Sequence, residues 1–527
     1  MVKKDTALIG LFVLVILFGL MGDLGKIMTS LNRNEHMYIT AGVLVSQDKV
    51  LYRDFAFLQM PYLPLLYAGL FKVFGLESYY LLTGKIVSFL ALIAAGAAVF
   101  FLSKRVLSSR LLAFGLAALF VMNLTIVIPS REVSNYITPL ALSLWAVYFF
   151  HLSLTSSRYA RLLTGFSGFL VALAVGSRLT YLPIVLPFAI VLGLYSLGQK
   201  DGRLSVLVAR LASFTAGLLI GWLPVIGFLF SDPTSFMFNN LGYHRLNTQW
   251  RFLTGYTDAM SLSSKIFFGV EIFLRPENLM LLIAIVLGGV FTIREAWLSK
   301  QVPYGLVLGS LLLITSLVMA VSPTPSFVQY YAQPVGLLYP LLVFSWSARA
   351  DYLNSFRRIT LFIMVMIVLM LNGSSQLESI LQLSQREQWS GLLVRDLSIE
   401  IRNHLSTHTG CSAGKVATLS PLFALETGLS IYEELATGPF LYRVGDLLTP
   451  AERSYFIGTS PKTLSGLFDN DPPLAILTGF EAELEDPFVR YAEENDYRRV
   501  ELSKNRGALF ICPSCACTSS SKSMHRP

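Results

Sequence analysis

Glu35, His36, Asp48 and Asp54 fall within one stretch, LNRNEHMYITAGVLVSQDKVLYRDFAFLQMPYLPLLYAGLFKVFG, where charges are set between apolar and aromatic residues. A plain connector does not need apolar helical patterns on both sides of its acids, so this reads as a site-forming loop; the alternative is a solvated loop with incidental carboxylates. Residues 36–45 are expected to form an amphipathic helix lying at a membrane interface, and YRDF then delivers Asp54 just before a proline-bounded helix. Downstream, VIPSREVSNY carries Arg131 and Glu132, and GSRLTYLP carries Arg178. FNNLGYHRLNTQWRF carries Tyr243 and His244, and SPTPSFVQYYAQP carries Gln329, Tyr330 and Tyr331. This mixture suits a lipid-linked polar substrate: a phosphate pairs with Arg or Lys, its isoprenoid tail needs a greasy groove, and an attacking hydroxyl needs a carboxylate base. Each group also has a plainer reading, as a charge snorkelling to the interface, a surface histidine or an aromatic-belt tyrosine.

The elements that position these groups are mostly membrane spans. The 527 residues are 54% hydrophobic and 14% charged, far below the charge content of a water-facing globule. Apolar stretches of spanning length begin near Ala7, Tyr80, Leu111, Tyr136, Leu162, Thr180, Leu204, Asn278, Val302, Val328 and Ile359, so about eleven spans are expected. The net charge of +8 sits in clusters: Lys3/Lys4, Lys104/Arg105/Arg110, Arg158/Arg161, Lys200/Arg203/Arg210, Arg294/Lys300 and Arg349/Arg357/Arg358. They precede the first span and follow every second one, which orients a membrane protein and does not describe a nucleic-acid surface. The rule places all six clusters, and the N-terminus, in the cytoplasm. The apolar stretch Pro61 to Gly75 is short for a crossing and would reverse the later clusters, so it is expected to be interfacial or re-entrant. Residues 1–372 then form a polytopic domain with external loops 23–79 and 231–277.

Residues 373–511 read as an external α/β domain, with strands expected at 415–419, 474–478 and 508–512 and helices at 396–405 and 487–495. It carries no nucleophile elbow, Walker loop or zinc cluster, and the chain has no internal repeat. Cys411, Cys512, Cys515 and Cys517 are too few for a disulfide framework, and residues 512–527 read as a disordered tail.

These residues, in this order, resemble the GT-C class of integral membrane glycosyltransferases, in the branch of the protein mannosyltransferases and the aminoarabinose transferase of lipid A. Members of that class have one span, an external loop with an Asp-Glu pair, a spacer, a YxD-like stretch and a proline-led helix ending in FG. NEHMYITAGVLVSQDKVLYRDFAFLQMPYLPLLYAGLFKVFG follows that layout, and the SRL of GSRLTYLP and the QYYAQP run look similar to later family features. The resemblance implies a GT-C-like helical fold in the cell membrane and transfer of a hexosyl or pentosyl unit from a polyprenyl-phosphate-linked donor. The acceptor, a lipid, polysaccharide or protein, would lie on the outer, extracytoplasmic face. Where the family has Asp then Glu, this chain has Asn34 then Glu35, so the carboxylate role passes to Glu35, with Asp54 second. Arg131, Glu132, Arg178, Tyr243, His244, Gln329 and Tyr330 become the expected substrate-binding residues. Some relatives need a divalent cation, so the resemblance leaves one possible, but no ligand cluster here is strong enough to claim it and no other cofactor is expected. A transporter or flippase of a lipid-linked or polar substrate, or a non-catalytic membrane scaffold, is the competing reading; transporters tend to carry inverted repeats and mid-membrane charge, and neither shows here.

Overall fold

The structure, a computed structural model, describes residues 2–156, 158–198, 203–348, 352–409, 414–503 and 506–513. Lys200, Arg349, Cys411, Cys515, Cys517 and residues 514–527 lie outside the described residues, as do the side chains of Lys3, Lys4 and Arg203. Two compact units are woven from alternating segments. One comprises Met1–Ile27, Val87–Ile226 and Tyr256–Ser384; the other comprises Met28–Ile86, Gly227–Gly255 and Gln385–Pro527.

The first unit is the helical membrane body. Among the described residues nine helices are long and apolar enough to cross a bilayer, and ten if the bent pair Arg110–Val121 and Leu124–Ser130 counts as one span. That pair turns by 57°. Asn123 sits at the break, its side chain accepting from the Thr125 N–H at 3.0 Å and donating to Asn278 at 2.9 Å, so a backbone N–H at the start of the second helix is satisfied inside the protein. The stretch expected to span from Val328 instead forms a 3-10 turn, Val328–Tyr331, and a helix, Ala332–Ser345, of 14 residues, all buried. An all-round apolar sequence is equally at home in lipid and in a protein core, and here it is core.

Small residues set the closest helix approach. A Cβ on Gly217 would lie 1.9 Å from the Gly165 carbonyl oxygen, and one on Gly168 would lie 2.3 Å from the Phe214 oxygen, so helices Ala160–Ser177 and Arg203–Ser231 meet backbone to backbone. Gly217→Val is expected to lower stability by about 1–3 kcal/mol through forced separation, read as a lower thermal unfolding midpoint in detergent.

The second unit opens with helix Arg33–Ser46. Asn32 caps the Asn34 N–H while Glu35 reaches back to the Asn32 N–H, a complete capping box. The helix expected over 36–45 is therefore present, but it keeps no apolar face for lipid: every residue from Glu35 to Leu44 is buried by protein. Gly42 lets the Tyr67 side chain of helix Tyr62–Val73 pack against it, the Cβ position lying 2.7 Å from the Tyr67 Cβ. That second helix is only 12 residues long, in keeping with a segment that does not traverse.

The C-terminal segment of this unit forms a five-stranded sheet in the order β2-β1-β3-β5-β4, from Lys415–Ala417 (β1), Ser430–Ile431 (β2), Ala475–Thr478 (β3), Arg498–Glu501 (β4) and Ala508–Ile511 (β5). β1 runs parallel to β2 and β3, whereas β5 is antiparallel to β3 and β4. The three expected strands and both expected helices are found, the latter within Ser390–Thr409 and at Asp486–Glu494. β2 and β4 were hidden from sequence reading, β2 because two residues show no period and β4 because RRVE is charged. The core gathers Tyr432, Tyr442, Phe468, Phe488 and Phe510. Cys512, just past β5, is disulfide-bonded, where a disordered tail was expected to begin.

Glu426 ties this segment to the start of helix Tyr80–Leu107, accepting from the N–H groups of Tyr79 at 2.6 Å and Leu81 at 3.1 Å. Burial raises its pKa from the ordinary 4.5 to about 7, the backbone donors and Arg395 opposing. A raised carboxyl pKa contributes stability that is fully present below about pH 4.5 and lost as pH rises through about 7. Thermal unfolding followed across that window should show this slope, and Glu426→Gln should flatten it.

Candidate functional site

Arg178 ends helix Ala160–Ser177: its extended backbone, φ −157° and ψ 119°, stops the helix before a 3-10 turn, Leu179–Ile184. The side chain is held from several sides. Its Nε donates to Thr180 Oγ1 at 2.9 Å and its Nη1 to Asn135 Oδ1 at 2.9 Å. The guanidinium carbon sits 4.1 Å from the Tyr136 ring centre and 5.3 Å from that of Tyr330. Gln329 hydrogen-bonds the Tyr136 side chain, and the buried Glu132 carboxylate acts on the same phenol. Four expected residues, Glu132, Arg178, Gln329 and Tyr330, thus come together around a cation whose fork and face are both fixed. Asn135 and Tyr136 were missed, although the SNY of VIPSREVSNY held them only a few residues past Glu132.

An apolar groove of about 260 Å³ is lined by Ile266, Gly269, Phe273, Leu317 and Tyr331 among others. Tyr331 is the chain neighbour of Tyr330, so the QYYAQP run places one ring on Arg178 and the next in the groove wall. Gly269 is required there, because a Cβ would lie 2.9 Å from the Tyr331 hydroxyl. That hydroxyl donates to the Lys265 carbonyl at 3.2 Å, and Lys265 Nζ donates to Thr324 Oγ1 at 2.6 Å.

Arg131 belongs to a different grouping in the same unit. Its charge acts on Asp23 and Lys26, a pair expected at the start of the external loop 23–79 and found on the last turns of helix Val2–Thr29. Asp23 Oδ1 accepts from Gln376 Nε2 at 2.9 Å, and Lys26 Nζ donates to Gln376 Oε1 at 3.0 Å. Gly22 and Gly25 clear the way for this, since a Cβ on either would lie about 2 Å from Gln376 or Ser379.

In the second unit Glu35 is fully buried and so is its partner: Lys85 Nζ lies 2.5 Å from Glu35 Oε1, both side chains having 0% exposure. Oε2 accepts from the Asn32 N–H at 2.9 Å, and Lys85 also donates to the Ser30 carbonyl at 2.8 Å. Asp54 has other partners, accepting from the Val50 N–H at 2.7 Å and from Arg53 Nε at 2.9 Å; Arg53 holds its carboxyl below the usual range. Tyr243 is buried and its hydroxyl accepts from Arg443, whereas His244 is exposed and meets the Tyr243 ring edge-on. Among the described residues no group of three or more His, Cys, Asp or Glu is placed to hold a metal ion.

Among solved structures the fold matches ArnT from Cupriavidus metallidurans bound to undecaprenyl phosphate, at a TM-score of 0.60 and 13% identity, over 96% of this chain and 98% of that one. The apo state of ArnT from the same organism matches at 0.58 and 12% identity, with the same coverage. The GT-C-like fold expected from the sequence is thereby present, and it extends through the C-terminal segment, beyond the QYYAQP run where the sequence resemblance stops. No protein-family model matches the chain, and no curated protein matches it in sequence.

Proposed function

We propose that this polytopic membrane protein is a glycosyltransferase that moves a hexosyl or pentosyl unit from a polyprenyl-phosphate-linked donor to an acceptor on the outer, extracytoplasmic face. The observation that carries this is the pairing of the Arg178 cradle with the Tyr331 groove. A guanidinium set over two neighbouring tyrosine rings suits a phosphate head, and the apolar groove walled by the next residue, Tyr331, suits an isoprenoid tail. ArnT, which shares the fold, was solved with undecaprenyl phosphate, a ligand of that class.

In this reading the acceptor hydroxyl attacks the sugar C1, its proton passes to a carboxylate, and the C1–O bond to phosphate breaks with the electron pair leaving on the phosphate. Arg178 neutralises that leaving group, with Arg131 as a second cation and Glu132, Gln329 and Tyr330 ordering the cradle. The N-terminus is cytoplasmic and residues 373–511 are extracytoplasmic, following the positive clusters. Purified protein incubated with radiolabelled polyprenyl-phosphate sugars and membrane extract should label an envelope lipid, polysaccharide or protein. Uptake of substrate into proteoliposomes without covalent transfer would support a transporter instead.

A further inference from the structure

The buried polar atoms of the second unit that have no hydrogen-bond partner among the described residues include His36 Nδ1, Tyr442 Oη, Arg443 Nε and Glu485 Oε1. Their residues are between 0% and 6% exposed. Buried groups of this kind are almost always paired, so several orphans in one neighbourhood call for an explanation.

They do share a neighbourhood. β1 leads to β2 on one side, and the chain returns to place β3 on the other, so the sheet has its topological switch point between β1 and β3. The segment after β3 supplies Glu481 and Glu485; Glu485 Oε2 accepts from the Gly479 and Phe480 N–H groups, the Glu481 N–H also acts on the carboxylate, and Oε1 is left without a partner of its own. The segment after β1 supplies Phe423, whose ring lies 4.6 Å from Phe480 and 5.3 Å from the His36 ring. Gly438, with φ 61°, lets the next turn close on the Leu419 carbonyl and so brings up Tyr442 and Arg443. Glu485 acts electrostatically on Tyr442, and Glu481 feels both Arg443 and Arg33, the last a salt bridge at 3.4 Å.

The chemistry of the unused atoms narrows the ligand. Two arginines balance two glutamates, so net charge selects neither an anion nor a cation. Burial lowers the His36 pKa to about 4, leaving a neutral imidazole. What remains is a carboxylate oxygen that accepts, a guanidinium N–H that donates, a phenol that does either, and apolar rings alongside. Alternating donors and acceptors beside aromatic faces match the hydroxyls and the C–H face of a sugar ring.

We propose that the carboxyl ends of β1 and β3, with His36, Tyr442, Arg443 and Glu485, form a binding site for a neutral, polyhydroxylated ligand such as one unit of a glycan. The site is read by binding alone, so it stands or falls apart from the transfer chemistry. The full chain in detergent is titrated with the methyl glycosides of mannose, galactose and arabinose, and separately with sodium phosphate and methylammonium chloride. Saturation-transfer NMR reports binding, and intrinsic fluorescence reports Trp250, whose indole lies 4.9 Å from the Arg443 guanidinium. Saturable binding of at least one neutral glycoside is expected. Tyr442→Phe, which deletes an unpartnered hydroxyl and leaves the unfolding midpoint in place, should weaken it by about tenfold, as should Glu485→Gln. The proposal is overturned if no neutral glycoside binds, the groups then holding water alone; if only phosphate or only methylammonium binds; or if binding survives Tyr442→Phe undiminished.

Discussion

Glu35→Gln is expected to destabilise the chain by about 3–5 kcal/mol, a large effect for one conservative change, because it leaves Lys85 charged, buried and without its counter-ion. Both side chains have 0% exposure and the contact is 2.5 Å, so water cannot take over the pairing. The capping box weakens with it, since Oε2 holds the Asn32 N–H. The double variant Glu35→Leu with Lys85→Met removes both charges and should recover most of that loss, as replacing a whole buried pair with apolar groups often does. Thermal unfolding in detergent measures both. The pair of variants also separates folding from chemistry, because the folded double variant lacks the Glu35 carboxylate altogether. Normal transfer by a folded double variant is the result expected of Glu35 as the anchor of helix Arg33–Ser46, and loss of transfer by it would give the carboxylate a part in the reaction.

Arg178→Ala is expected to lower transfer by about 10²–10³, the scale seen when one preorganised donor is taken from a site that stabilises developing negative charge. Arg178→Lys should rescue little. Thr180 and Asn135 are bonded by two different guanidinium nitrogens, and the tyrosine rings pack on a planar face that an ammonium lacks. Tyr136→Leu, which removes one of those faces and keeps the charge, should fall between the two. If Arg178 serves the donor phosphate, the alanine variant should also lose donor hydrolysis and donor binding. Unchanged kcat/KM in that variant would dismiss the cradle as a donor site, whatever other group carries the reaction.

Much of this was legible in the residues. Hydropathy runs along the chain, so spans such as Tyr80–Leu107 and strands such as β3 and β5 could be read locally. The short helix after Pro61 followed from its length, and four members of the Arg178 grouping stood out as polar, charged or aromatic residues at span ends. Charge partners did not follow, because they depend on which segments approach one another in space. Lys85, inside LLTGKIVSFL, looks like a lysine at a span end; only the fold seals it against Glu35, fifty residues earlier. Arg131 and Arg178 look alike in sequence, yet one joins Asp23, Lys26 and Gln376 while the other joins Asn135 and two tyrosines. The same holds for Ala332–Ser345, apolar enough for lipid but enclosed by protein. Composition and periodicity are properties of neighbours in the chain and determined the solvent, the elements and the residue types available for chemistry. Desolvation and pairing are properties of neighbours in space, and tertiary structure alone decided which of those charges are locked into the scaffold and which are held at a groove.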